Sequence, residues 1–494
     1  MNLLRPIALV VIPFSLIAGA HPQSVPNLES ARQLFLAGKF KESSEMYAAL
    51  TVVRPNLEEA HVQLIRTNIV GGNLPGAAQA ARQALSDLPN SAAVWAAAGD
   101  VQYRLSRFTE AASIYNQALQ LNPNSARAIF GLGRVNHLAS MNKTARELFL
   151  KAYQLDPMDP DIALARAYTM ETPATTADAL EEYLKIADFR SPGTVDYFRL
   201  QIAGDRYLGQ RQCRLSGNAA SATIPIRELS LSGSPEVDAL IGPIGATTSG
   251  IPVAINSAKA RTFRLLLQTE GVSVTAAYAK ELRLLRVIDA PSNGRKNYIA
   301  FADKIRIANV ELSNCLVNVV DVSRLSGADG VIGLPILSDF LITLNFKRNV
   351  LILEPNGTPD KQDAVIDTNN RKDFTRVFKR GNDLLIPTRI NNGEETLFRV
   401  SLDSPYTQIS SALPQNPVSG GFPIELNADF SSCTQNCAVL KFDRFTIRAA
   451  VVPIHMEVLN TSIGIEMGGI LGFNAVKGLT LAIDYRNGLV KFER

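Results

Sequence analysis

The chain has 494 residues, of which 46% are hydrophobic and 19% charged. This length predicts about three domains of ordinary globular composition. Lys and Arg total 50 against 46 Asp and Glu, a net charge of +4 with no long basic run, which argues against nucleic acid as a partner.

The N-terminus is MNLLRPIALVVIPFSLIAGA. Arg5, the apolar run from Ile7 to Ile17 and the small residues Ala18-Gly19-Ala20 stand in the order of a secretory signal, so residues 1–20 are expected to be a signal peptide cut after Ala20. The run is short against the ~20 residues of a bilayer span. No later stretch is long and apolar enough to span. The mature chain is therefore expected to be periplasmic or secreted, with no integral membrane segment.

Pro55, Pro89, Pro123 and Pro157 each follow the last by 34 residues. The same step links Ser43, Ala77, Ala111 and Ala145, then Tyr47, Ala81, Tyr115 and Phe149, then Leu50, Ala84, Ala118 and Ala152. This pattern resembles the tetratricopeptide repeat, best in the unit with Trp95, Gly99, Phe108, Ala111, Tyr115, Ala118 and Pro123. Each unit is then two antiparallel helices: small residues sit where they cross, aromatics fill the space beside them, and proline stops the second helix. The resemblance implies a concave groove for a peptide or protein ligand, faced by Arg66, Asp100, Tyr103, Arg134 and His137. Residues 27–190 are predicted to hold the repeats and capping helices, and 191–222 a further helix and a linker ending in SGNAASA.

Beyond the linker, β-branched runs broken by Gly, Asn and Pro predict strands. Two segments are alike: IPVAINSAKARTFRLLLQTEGVSVTAAYAKEL, Ile251 to Leu282, and IPTRINNGEETLFRVSLDSPYTQISSAL, Ile386 to Leu413. Gln268 and Asp403 are equivalent, 135 residues apart. The closing segments also match: Gly333 answers Gly472 and Asn345 answers Asp484, both at a step of 139. This duplication resembles the two lobes of pepsin-like and retropepsin-like aspartic peptidases, over about residues 248–494. The hydrophobic-hydrophobic-Gly motifs are Val331-Ile332-Gly333 and Ile470-Leu471-Gly472. The predicted architecture is multidomain, α then β: a tetratricopeptide solenoid followed by an all-β two-lobed domain, with lobe one at 223–357 and lobe two at 370–494.

The resemblance implies one aspartate from each lobe, sharing a proton and acting as general acid and base. Here lobe one has Gln268-Thr269-Glu270 and lobe two Asp403-Ser404-Pro405. An amide cannot act as general base, Glu270 replaces the turn glycine, and Pro405 removes an N–H. One acid of two remains. No G-x-S-x-G, Walker A or H-E-x-x-H pattern supplies another chemistry. Ser273, Thr275, Thr407 and Ser410 are read as loop hydroxyls.

Of the cysteines, Cys433-Thr-Gln-Asn-Cys437 is spaced to close a small disulfide loop, and the pairing of Cys213 and Cys315 is left open. Only His455 could join them at a metal, so neither metal nor cofactor is expected. The favoured function is an exported peptide- or protein-binding scaffold with an inactive peptidase-like domain. The alternatives are an active aspartic endopeptidase, with Asp403 paired to Glu270 or to a second chain, and an adaptor working through its helices alone. Oligomeric state is not legible.

Overall fold

The computed structural model describes residues 26–494 other than 171, 188–191, 209–212, 216–220, 228–234, 243–260, 268–270, 290–296, 322–327, 357–370, 392, 412–436, 457–459 and 461–463. The expected signal segment, most of the expected linker, Gln268, Thr269, Glu270 and Cys433 lie outside the described residues.

Helical hairpins come first: α1 (Leu28–Leu36) with α2 (Phe40–Val53), α3 (Glu58–Val70) with α4 (Leu74–Asp87), α5 (Ala92–Arg104) with α6 (Phe108–Leu121), and α7 (Ala126–Leu138) with α8 (Asn142–Leu155). Then follow α9 (Pro160–Ala167), α10 (Pro173–Ile186) and α11 (Pro192–Leu208). The second helix of each hairpin ends two residues before one of the four periodic prolines, as the missing N–H requires. Three helix starts are capped at the same step: the side chains of Ser91, Ser125 and Asp159 accept backbone N–H groups of the first turn. Tyr115, fully buried, lies over Gly99 and Gly131, where a Cβ would come within 2.5 and 2.2 Å of its ring. Small residues thus make room for the aromatic. The turn inside each hairpin passes through a left-handed residue: Gly38 (φ 75°), Gly72 (77°), Ser106 (61°) and Ser140 (59°).

The first β half holds β1 (Arg214–Leu215), β2 (Ala222–Pro225), β3 (Glu236–Gly242), β4 (Arg261–Leu266), β5 (Val272–Thr275), α12 (Ala276–Glu281), β6 (Leu285–Asp289), β7 (Tyr298–Ile307), β8 (Val310–Val320), β9 (Gly330–Gly333), β10 (Phe340–Asn345) and β11 (Val350–Pro355). The second holds β12 (Thr375–Arg376), β13 (Phe378–Arg380), β14 (Asp383–Ile390), β15 (Glu395–Val400), β16 (Thr407–Ser410), β17 (Cys437–Phe442), β18 (Phe445–Ile454), β19 (Gly469–Leu471), α13 (Phe473–Val476), β20 (Thr480–Asp484) and β21 (Leu489–Glu493).

Each half forms a barrel-like sheet, and the two sheets repeat one another. The first runs β8-β5-β9-β4-β3-β7, with β1 and β6 at its ends and β7 pairing back to β8; the second runs β18-β16-β19-β15-β14, with β17 pairing to both β18 and β14. In both, a strand of the front segment lies parallel to the strand of the hydrophobic-hydrophobic-Gly motif: Phe263 opposite Gly330, and Phe398 opposite Gly469. The reason is steric. A Cβ at Gly330 would fall 2.2 Å from the Phe263 ring and 2.8 Å from Ser273 O, and one at Gly469 would fall 2.6 Å from the Phe398 ring and 2.1 Å from Gln408 O. Only glycine admits the ring of one strand and the carbonyl of the next.

A six-stranded sheet, β12-β21-β20-β10-β11-β2, joins the halves. Across its middle Ile342 pairs with Ile483, Thr343 with Ala482 and Leu344 with Leu481, antiparallel. The 139-residue step carries Ile342 onto Leu481 and Leu344 onto Ile483, so exchange of the halves leaves this pairing unchanged. The hairpin turns match as well: Asn345 Oδ1 accepts the Arg348 N–H (2.9 Å), and Asp484 Oδ1 accepts the Asn487 N–H (3.2 Å). Asp484 is fully buried and paired with Arg371. One apolar core runs through both halves and the shared sheet, including Phe263, Phe340, Phe398 and Phe492.

Cys213, just after α11, is disulfide-bonded to Cys315 on β8, 102 residues away. This settles the pairing the sequence left open. Cys433, the expected partner of Cys437, lies outside the described residues. Among the described residues no group of His, Cys, Asp and Glu is arranged to hold a metal ion, and no helix is long and apolar enough to cross a membrane.

Candidate functional site

Asp403 stands in the short segment between β15 and β16. It is exposed, and the hydroxyl of buried Ser401 donates to its Oδ1. The backbone beneath it is pinned by the strand of the second Gly motif and the helix that follows it. Phe473 N–H donates to Ser404 O (2.7 Å), Asn474 N–H to Pro405 O (3.2 Å) and Ser401 N–H to Leu471 O (3.0 Å). Asn474 Oδ1 accepts both the N–H (2.8 Å) and the hydroxyl (2.9 Å) of Thr407, whose Oγ1 accepts the Gly472 N–H (3.2 Å). Gly472 is close enough to the Tyr406 carbonyl that a Cβ would fall 2.3 Å from it. Ser404 Oγ donates to Tyr406 O (2.8 Å), and the Tyr406 side chain stays 51% exposed. The segment thus presents an acid and an aromatic on a fixed backbone, and Thr407 serves it through hydrogen bonds to Asn474 and Gly472.

Gln268, Thr269 and Glu270 of the first half lie outside the described residues; their flanks do not. Gly271 takes φ 73°, and its carbonyl accepts the Gly333 N–H (2.9 Å), which repeats the approach of Gly472 to Tyr406. Among the described residues of this turn Gly271 is left-handed, one residue beyond the place where the resemblance put the turn glycine. Leu267 O, buried, accepts the Tyr485 hydroxyl (3.3 Å) from the end of β20, so the shared sheet supports the approach to Gln268.

The residues expected to face the helical groove divide. Asp100 and Tyr103 are 2% and 1% exposed, not open to a groove. Asp100 accepts from Tyr115 Oη (2.7 Å), from Arg127 Nε (2.7 Å) and from Arg134 Nη2. Burial opposes its ionisation, but the Arg127 and Arg134 guanidinia outweigh it and hold the carboxyl below the usual range. Arg127 also reaches Asp161 (2.9 Å) and Asp159 (3.3 Å), and Arg134 lies 4.1 Å over the Tyr103 ring. Asp100 and Arg134, two of the expected groove residues, therefore form a knot that ties neighbouring repeats together. Arg66, one repeat before Asp100 on α3, is half-buried.

Tyr103 and His137 meet the second β half. Arg380 Nη1 of β13 donates to Tyr103 Oη (3.4 Å), and Phe378 packs on Phe108 with ring centres 4.8 Å apart. Ser106 Oγ donates to Glu466 O (2.6 Å), Glu466 N–H to Arg104 O (2.8 Å) and Arg376 Nη1 to Ala139 O (2.8 Å). Leu385, Leu397, Met456, Ile465 and Met467 share an apolar cluster with Tyr103, Phe108 and Leu138. The groove face of the third and fourth repeats is thus closed by the chain's own β domain at these residues. The one sequence signal of this seam is that serine replaces glycine at Ser106 and Ser140, the left-handed turn positions of the two repeats that dock.

Comparison with known proteins gives one family match, to the tetratricopeptide repeat, over residues 96–160. No curated protein matches the chain. Among solved structures, a tetratricopeptide protein of Thermus thermophilus is 20% identical, with a TM-score of 0.31 over 36% of this chain and 97% of that one. PilF of Pseudomonas aeruginosa is 19% identical, with a TM-score of 0.28 over 36% and 83%. PilW, a type IV pilus biogenesis factor, is 17% identical, with a TM-score of 0.29 over 36% and 84%. The N-terminal helices form a tetratricopeptide-repeat region of the protein-interaction type; this rests on the family match and on the 34-residue geometry.

Proposed function

We propose that the chain is an exported scaffold that binds a peptide or protein, and that its β domain is an aspartic-peptidase-like fold without a working pair of acids. The observation that carries this reading is the duplicated β register, with Phe263 and Gly330 answering Phe398 and Gly469, while sequence puts Gln268 where the second half has Asp403. Dyad hydrolysis needs one carboxyl to take a proton from water and another to give one to the scissile carbonyl. An amide does neither. Extended-peptide recognition between two β halves needs only backbone pairing and side-chain pockets, and so survives the loss. Export is supported by the signal-like residues 1–20 and by the Cys213–Cys315 disulfide, which belongs to an oxidising compartment.

Digestion of an unfolded protein at acid and neutral pH, with wild type beside Asp403→Ala, tests the reading. The expected result is no cleavage by either. Cleavage by wild type that the variant loses would establish the chain as a peptidase acting through Asp403.

A further inference from the structure

His137 lies near the C-terminal end of α7, at the seam between the fourth repeat and the second β half. Its ring is 6.3 Å from that of Phe149 on α8, and its Nδ1 is buried with no hydrogen-bond partner among the described residues. The strand β13, which packs against α7, carries Lys379 and Arg380, whose positive charges act on the imidazole; Lys379 Nζ itself donates to Tyr485 O (3.1 Å). On its own helix Arg134 is turned to Asp100. Of the carboxylates of this region, Glu466 acts on Arg104, and Asp383 acts on Arg399 (3.7 Å) and then on Arg380, its partner in the β13–β14 register. We propose that this seam is a latch that opens in acid: a proton on His137 Nδ1 adds a cation to those of Lys379 and Arg380, with no acceptor for it among the described residues, and drives the second β half off the third and fourth repeats.

Burial, then the charges of Lys379 and Arg380, hold the docked imidazole down to about 4, against an ordinary value of about 6.5 in water. The open form therefore binds the proton more tightly. Docking keeps its full strength above about pH 6.5, weakens as pH falls towards about 4, and loses roughly 300-fold at most in its closed-to-open ratio. Burial pushes the carboxyls of Glu466 and Asp383 up, so they work in the opposite direction. The part due to His137 is therefore the difference between wild type and a variant.

Hydrogen exchange on the full chain, corrected for its intrinsic pH dependence, reads the latch at the Glu466 amide, which donates to Arg104 O across the seam. Between pH 7 and pH 4 the protection of this amide in wild type should fall roughly 100-fold more than in His137→Phe, while amides of α3 show no such difference. Lys379→Met, which removes one of these two cations and keeps the imidazole, should give an intermediate loss. The same pH dependence in wild type and His137→Phe, or in wild type and Lys379→Met, would overturn the proposal.

Discussion

The chain repeats itself twice, and the two repeats differ in what a copy must meet. Within the helical array each unit stacks on adjacent units, so the step survives wide variation: Tyr47, Ala81, Tyr115 and Phe149 occupy one position and all are buried. The two β halves meet each other across β10 and β20, so a slip of one residue in either would turn its apolar face outward. The β register is accordingly kept to the residue. In both repeats, departures from the pattern mark places where a copy has taken a role of its own: Asp100 among its periodic equivalents, Ser106 and Ser140 among glycines, and Asp403 opposite Gln268.

This comparison can be broken at several points. The largest effect is expected at Asp100, where Asp100→Asn takes from Arg127 and Arg134 the buried carboxylate they share and should cost about 3 kcal/mol in denaturant unfolding. Its carboxyl is held low in the fold, so the contribution is present at neutral pH and is lost as pH falls below about 4, through the depressed folded value. Next come Gly330→Ala and Gly469→Ala. Each forces a Cβ into a phenylalanine ring and a neighbouring carbonyl, and each should cost about 2–3 kcal/mol. A large loss at one and none at the other would show that the halves are not packed alike.

At the junction of the two repeats, Asp205 on α11 is 9% exposed, with Oδ2 unpartnered among the described residues, and burial raises its carboxyl to about 6. The folded state favours the protonated form, so stability is lost as pH rises from the ordinary value of about 3.9 through about 6. Asp205→Asn should gain about 2 kcal/mol on wild type between pH 4 and pH 7, read from paired melts. The smallest effects separate the two kinds of turn. Gly72→Ser, with no neighbour within 4 Å of its Cβ, should cost about 1 kcal/mol for the left-handed conformation alone. Ser106→Gly relieves that strain and loses the bond to Glu466 O, and should lie within about 0.5 kcal/mol of wild type.

Much of the fold was legible because both repeats write the same physical requirement more than once. Prolines at a constant step fixed the hairpin ends, and Gly333 with Gly472 fixed the ends of the β halves. Apart from Ser106 and Ser140 the seam was not legible, since Arg376, Phe378 and Met467 break no local pattern and their partners lie hundreds of residues away. Asp100 looked like a groove residue by position alone, and its burial depends on Arg127 and Arg134 arriving from the next repeat. Cys213 and Cys315 carried no signal, because loops of any length can close when the intervening strands bring the ends together. At the candidate site the acid Asp403 could be picked out by duplication; the pinning of its backbone by Asn474 could not, because the 139-residue step carries that asparagine onto Pro335 and so gives it no counterpart.

The Cys213–Cys315 bond has a practical consequence. A protease that cuts anywhere between these two residues leaves pieces that still travel together on a denaturing gel. A single cut in the part of the first barrel-like sheet that precedes Cys315 would therefore stay invisible until a reducing agent is added. A purified sample judged intact without one could already be nicked.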